Sequence, residues 1–176
     1  MSKETSTTNS KRAIVIFDSR YGNTEKIARS LESGLNQAGV ETVCINSKQV
    51  NLESLKEYNL IAIGAPTEKI TASESIKEFL AKLVGIDFRG KVGFAFDTKL
   101  PYPLSGSAAK FIEKKLKNLG LDIILDRTSA IVVPQKENQQ GGVMLKEGEE
   151  KRFAEIGRQV GAAYLEAGKR TATIPA

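Results

Sequence analysis

The chain contains no histidine and a single cysteine, Cys44, in 176 residues. Without imidazole there is no Ser-His-Asp or Cys-His triad, no His-ligated metal and no ordinary side chain that titrates near neutrality. One thiol excludes an internal disulfide and a cysteine-ligated cluster within one chain, and it fits a reducing, cytoplasmic setting. No apolar run approaches the roughly 20 residues that a membrane-spanning helix needs. Residues 1–11 are polar and lack the apolar centre of a secretory signal, so they read as a disordered tail. Chemistry in such a chain falls to a bound organic cofactor, with no catalytic side chain and no metal site expected.

What is present is an ordinary globular composition: 40% hydrophobic and 27% charged residues. The length suits one domain with a substantial core. The net charge is +5. The lysines are scattered, and no basic stripe interleaves with aromatics. The charge therefore reads as a solvated basic surface, and nucleic acid is not an expected partner.

Apolar periodicity alternates between strand and helix along the whole chain. Strands are predicted at 13–17, 41–46, 60–64 and 91–96, with a fifth in two pieces at 122–125 and 130–133. Helices are predicted at 24–38, 73–83, 107–119 and 146–166, with a short one at 52–57. Their inward faces carry Ile27, Leu31 and Leu35, then Ile76, Phe79 and Leu80, then Ile112 and Leu116, then Phe153, Ile156 and Val160. Five strands alternating with helices give an α/β fold, an open doubly wound five-stranded parallel sheet. The length is too short for a barrel of about 250 residues. One domain is expected over 12–167, with a C-terminal tail at 168–176 and a mobile loop at 134–148. In such sheets ligands sit beyond the carboxyl ends of the strands, so the loops after the first, third and fourth strands matter most.

The first of these loops is the most informative. Strand residues Ala13-Ile14-Val15-Ile16-Phe17 run into Asp18-Ser19-Arg20-Tyr21-Gly22-Asn23-Thr24, and an amphipathic helix follows at once. Backbone N–H groups at a helix N-terminus and the hydroxyls of Ser19 and Thr24 favour an anion there. Gly22 permits a tight turn, and Asn23 tolerates unusual dihedrals. The spacing matches neither a Walker A loop nor G-x-G-x-x-G, so a single phosphate suits it better than a pyrophosphate. The same residues also fit an ordinary strand–turn–helix junction. Ser-x-x-Gly-Asn-Thr after a first strand resembles the phosphate loop of the flavodoxin family, whose members bind flavin mononucleotide (FMN).

Two further segments carry that resemblance, which covers about residues 12–167. Gly64-Ala65-Pro66-Thr67 resembles the family's Gly-Ser/Ala-Pro-Thr segment, which runs under the flavin ring. Many relatives place an aromatic just after it; here Glu68, Lys69 and Ile70 stand there. The loop Asp97-Thr98-Lys99-Leu100-Pro101-Tyr102-Pro103-Leu104-Ser105-Gly106 resembles the third flavin loop. Tyr102 is its one aromatic, either a ring-stacking residue or a surface tyrosine in a proline-rich turn. Residues 145–150 resemble the stretch before the last helix in flavodoxins and in flavodoxin domains of flavodiiron proteins.

The resemblance implies a flavodoxin-like strand order 2-1-3-4-5 and an FMN site. That site would take Ser19, Arg20, Tyr21, Gly22, Asn23 and Thr24 from the first loop and Ala65, Pro66, Thr67, Glu68 and Lys69 from the second. The third would add Asp97, Thr98, Lys99, Tyr102, Ser105 and Gly106. It implies a small electron carrier between redox protein partners. Two alternatives stand beside it: an NAD(P)H-dependent flavin or quinone reductase of the same superfamily, and a flavin-free binding module. Flavodoxins are typically acidic, so the basic pI near 9.3 is a departure.

Overall fold

The computed structural model describes residues 11–135 and 142–172. Its centre is strand β1 (Arg12–Phe17), flanked by β2 (Glu41–Asn46) and β3 (Leu60–Glu68). All three run parallel, with Ala13 opposite Leu60 and Phe17 opposite Gly64. Strand β5 (Val92–Lys99) pairs parallel with β3. Beyond it come β6 (Asp122–Ile123) and β7 (Thr128–Pro134), both parallel to β5. The parallel order is therefore that of a doubly wound flavodoxin-like sheet, its last position filled by two pieces.

Alternation along the strands sends side chains to two cores. Ala13, Val15 and Phe17 of β1 face one way, with Phe94 and Phe96 of β5. Ile14 and Ile16 face the other way, with Ile61 and Ile63 of β3. Helices α1 (Asn23–Gln37) and α4 (Glu149–Ala172) cover the first core. Helices α2 (Glu74–Lys82) and α3 (Ala108–Asn118) cover the second. Right-handed crossovers place helices on both faces in this way. The α1–α4 crossing is close because both helices carry glycine at it. A Cβ on Gly34 would lie 2.0 Å from the Ala154 carbonyl oxygen.

Several boundaries differ from the sequence expectation. Strand β3 continues past Gly64 to Glu68, then folds back through Lys69 and Ile70 into β4 (Thr71–Ala72). That antiparallel hairpin carries no alternating apolar pattern, which is why periodicity missed it. Residues 143–145, expected in a mobile loop, form β8 (Val143–Leu145), antiparallel to β7; residues 136–141 lie outside the described residues. Helix α4 starts three residues late and runs on to Ala172, through positions assigned to a C-terminal tail. Its added residues include helix-favouring Ala167, Lys169, Arg170 and Ala172, alongside Gly168 and Thr171. The short helix at 52–57 is present as 3₁₀ turns.

Candidate functional site

The loops after β1, β3 and β5 meet at the carboxyl edge of the sheet around a cavity of about 240 Å3. Ser19, Arg20, Tyr21, Asn23 and Thr24 come from the first loop and the start of α1; Pro66, Thr67 and Glu68 end β3. Thr98 and Lys99 end β5, Leu100 follows them, and Val132 of β7 and Val143 of β8 close the remaining side.

The floor is polar and tied together. Thr24 is buried, and its hydroxyl lies 3.0 Å from that of Thr98. Asn23 donates from Nδ2 to the Val143 carbonyl at 2.9 Å, fastening β8 to the start of α1. At the mouth, Arg20 reaches Glu68 across the two loops at 3.7 Å and lies over the Tyr21 ring.

The N-termini of α1 and α3 differ in one decisive respect. At α3, side chains occupy the first-turn amides. Ala108 N–H donates to Thr67 Oγ1, Ala109 N–H to Asp97 Oδ2, and Lys110 N–H to the N-cap hydroxyl of Ser107, at 2.9, 2.9 and 3.1 Å. At α1 the N-cap is Gly22, with φ 82° and no side chain to offer. A Cβ there would meet no atom within 4 Å; the left-handed backbone is what favours glycine. A single hydroxyl, Ser19 Oγ, accepts from this turn, from Glu25 N–H at 3.3 Å. Among the described residues, the α1 terminus thus has no N-cap side-chain bond, and its residues Asn23 and Thr24 line the cavity with Ser19. A phosphate fits this donor set.

The remaining expected site residues fall elsewhere. Asp97 does not face the cavity. It is fully buried and accepts at Oδ2 from Thr67 Oγ1 at 3.1 Å and Ser107 Oγ at 2.7 Å, besides Ala109 N–H. It therefore caps α3 and ties β3, β5 and α3 together. Among the described residues its Oδ1 is a buried oxygen without a partner. Ala65 packs in the α2–α3 core. Tyr102 stands 56% exposed outside the cavity lining, whereas Tyr21 lines it. Ser105 donates to the Leu100 carbonyl and shapes the third loop. Gly106 packs on the backbone of Ile70, and Lys69 sits exposed in the β3–β4 turn.

Sequence reasoning missed Leu100, Val132 and Val143. Val132 falls in a strand expected at 130–133, but nothing local marks its face as ligand-facing. Val143 reaches the cavity through the β7–β8 pairing and the Asn23 contact, both long-range. Cys44 is on β2 and does not line the cavity. Burial pushes its thiol up to about 12, with Arg29 offsetting part of that, so it is no nucleophile near neutral pH. Among the described residues no group of acidic, cysteine or histidine side chains can hold a metal, and no helix is long and apolar enough to cross a membrane.

Comparison with known proteins agrees with this geometry. The flavodoxin family model matches residues 15–155. An uncharacterized protein of Methanocaldococcus jannaschii is 29% identical over 152 residues, spanning 83% of this chain and 37% of its own length. A nitric oxide reductase of Moorella thermoacetica is 26% identical over 156 residues, spanning 86% of this chain and 36% of its own length. The chain thus spans about a third of the length of these curated relatives. Among solved structures, an archaeal flavodoxin superposes with a TM-score of 0.71 at 24% identity, covering 85% of this chain and 96% of its own. Rubredoxin oxygen:oxidoreductase from Desulfovibrio gigas does so with a TM-score of 0.71 at 19% identity, covering 90% of this chain and 37% of its own. At these identities the superpositions show a shared fold.

Proposed function

The chain belongs to the flavodoxin family, an FMN-binding family, and from that premise we propose that it holds FMN in the cavity described above and carries electrons between redox proteins. When bound, FMN supplies the reversible electron storage that no side chain here can provide.

The protein's own residues supply position and electrostatics. The observation that carries the reading is the contrast between the two helix N-termini. Helix α3 has its first-turn amides taken by side chains, while α1 has no side-chain cap at Gly22 and its Asn23 and Thr24 line the cavity. Gly22, Asn23 and Thr24 would hold the phosphate, with Ser19 turning its hydroxyl from Glu25 N–H toward it. Thr98 braces Thr24 from below. Pro66, Thr67 and Glu68 would run beside the ring, and Tyr21 stands as the cavity-lining aromatic. Arg20 and Lys99 give the cavity mouth cations that favour an anionic ligand.

Anaerobic mixing of the reduced, FMN-loaded protein with an oxidised one-electron carrier tests the electron-carrier reading. Stoichiometric electron delivery, with no sustained oxidation of NADH or NADPH by the protein alone, is expected. Sustained NAD(P)H turnover would make it a reductase instead.

A further inference from the structure

Beside the cavity lies an open groove of about 600 Å3 between the β3–β4 turn, the loop at 100–107 and α3. Its apolar side chains are Ile70, Pro103, Leu104 and Phe111, and its cations are Lys99, Lys110 and Lys114. Among the described residues no carboxylate lines it. We propose that this groove is the docking surface for an acidic protein partner.

Within the apolar part, Ile70 is held in place rather than merely exposed. Ile70 is 70% exposed and Leu104 is 90% exposed. Lys69 and Ile70 form the two-residue turn with φ 45° and 67°, a conformation that glycine or asparagine normally fills. A β-branched residue there is strained, so the neighbours must fix it. They do: Ser107 N–H donates to the Ile70 carbonyl at 3.3 Å, and Gly106 bridges to Ile70. A Cβ on Gly106 would lie 2.1 Å from the Ile70 carbonyl oxygen, so the close approach requires glycine. The strained turn thus presents Ile70 to solvent at the edge of the groove.

The charges identify the occupant. Lys69, Lys99, Lys110 and Lys114 form no ion pair among the described residues, whereas Lys77 on α2 and Lys117 farther along α3 each hold a glutamate. Unpaired lysines around an apolar floor complement a partner with carboxylates around an apolar centre. Beyond Phe111 a second groove, lined by Lys77, Lys115 and the 75% exposed Val84, again has no carboxylate among the described residues. The groove's cations are lysines, without the arginine forks that favour nucleic acid. Lys99 lines both the groove and the cavity, so a protein seated here meets the edge of the cofactor site. Relevance to electron transfer rests on the carrier reading above; the docking itself does not.

The test uses the full chain with an oxidised rubredoxin of net negative charge as probe. Its second-order reduction by the FMN-loaded protein is followed at low and high salt, with a neutral quinone as control acceptor. The double variant Lys110→Glu/Lys114→Glu should slow rubredoxin reduction at least about fivefold at low salt and approach wild type at high salt, with the quinone rate unchanged. Lys110→Gln/Lys114→Gln should fall between. Ile70→Ser/Leu104→Ser should slow the reaction at both salts. Titration of the isotope-labelled protein with rubredoxin should shift amide resonances of residues 69–71, 103–107 and 110–114. Failure to bind FMN would defeat the carrier reading while leaving this titration to judge docking. Unchanged rubredoxin rates in the charge variants, or amide shifts confined to another face, would overturn the proposal. So would a response of these residues to duplex DNA or anionic vesicles with none to rubredoxin.

Discussion

The hydroxyl oxygens of Thr24 and Thr98 lie 3.0 Å apart, although 74 residues separate them in the chain. The contact joins the first turn of α1 to the end of β5, beneath the proposed phosphate position. Thr24→Ala removes a hydroxyl donor to a dianion and the brace on that donor. Charge-assisted hydrogen bonds of this kind contribute on the order of 1.5–3 kcal/mol. FMN affinity should therefore fall by roughly 10- to 100-fold, and riboflavin affinity, which lacks the phosphate contribution, much less. Fluorescence titration of both flavins against both proteins checks this. Equal losses would place Thr24 away from the phosphate.

Tyr21 lines the cavity and Tyr102 does not, though both are about half exposed. A stacking contact contributes about 0.5–1.5 kcal/mol beyond area burial. Tyr21→Ala should weaken FMN binding by roughly 2- to 12-fold and raise the fluorescence of the saturated complex. Tyr102→Ala should leave both within error. The reverse pattern would return Tyr102 to the ring-stacking role that the third loop suggests from sequence.

Asp97 gathers three donors from β3 and α3 on one oxygen. An amide in its place can keep its carbonyl oxygen on these donors, but it loses the charge beside the α3 N-terminus and buries an NH2 where Oδ1 has no partner among the described residues. Asp97→Asn should lower unfolding free energy by on the order of 2–4 kcal/mol, read by urea denaturation. A loss below about 0.5 kcal/mol, within the range of ordinary surface changes, would mean that the buried carboxylate is dispensable.

Glu113 gives the fold a pH dependence. Burial alone would push its carboxyl up, but hydrogen bonds from Lys117 and the Arg127 backbone, with the charge of both residues, hold it below the ordinary 4.5. A depressed folded-state value stabilises the protein above the unfolded value, and that contribution is lost as pH falls through the folded one. The stability gap between wild type and Glu113→Gln should be largest at neutral pH and shrink below about pH 4.5. Urea unfolding at a series of pH values reads it directly. A gap constant with pH would remove Glu113 from the acid response.

The strands were legible because a parallel sheet buried on both faces writes continuous apolar runs such as Ala13-Ile14-Val15-Ile16-Phe17 and Leu60-Ile61-Ala62-Ile63. The first loop was legible because glycine, asparagine and hydroxyls at a strand–helix junction have few uses besides turning and binding. What escaped depends on contacts between distant segments. Val143 enters the cavity through an antiparallel pairing with β7, and no residue near it signals that. Asp97 reads as a ligand-facing carboxylate at a strand end, yet strand alternation and the capping of α3 turn it inward. The Lys69-Ile70 turn contradicts local preference, since neither residue favours positive φ, and tertiary contacts to Gly106 and Ser107 hold it.

Isothermal titration of flavin-free protein with FMN and, in parallel, with riboflavin tests the central claim most directly. One FMN per chain is expected, bound at least about tenfold more tightly than riboflavin because the α1 N-terminus and its hydroxyls hold the phosphate. No uptake of FMN, or equal affinity for the two flavins, would contradict it.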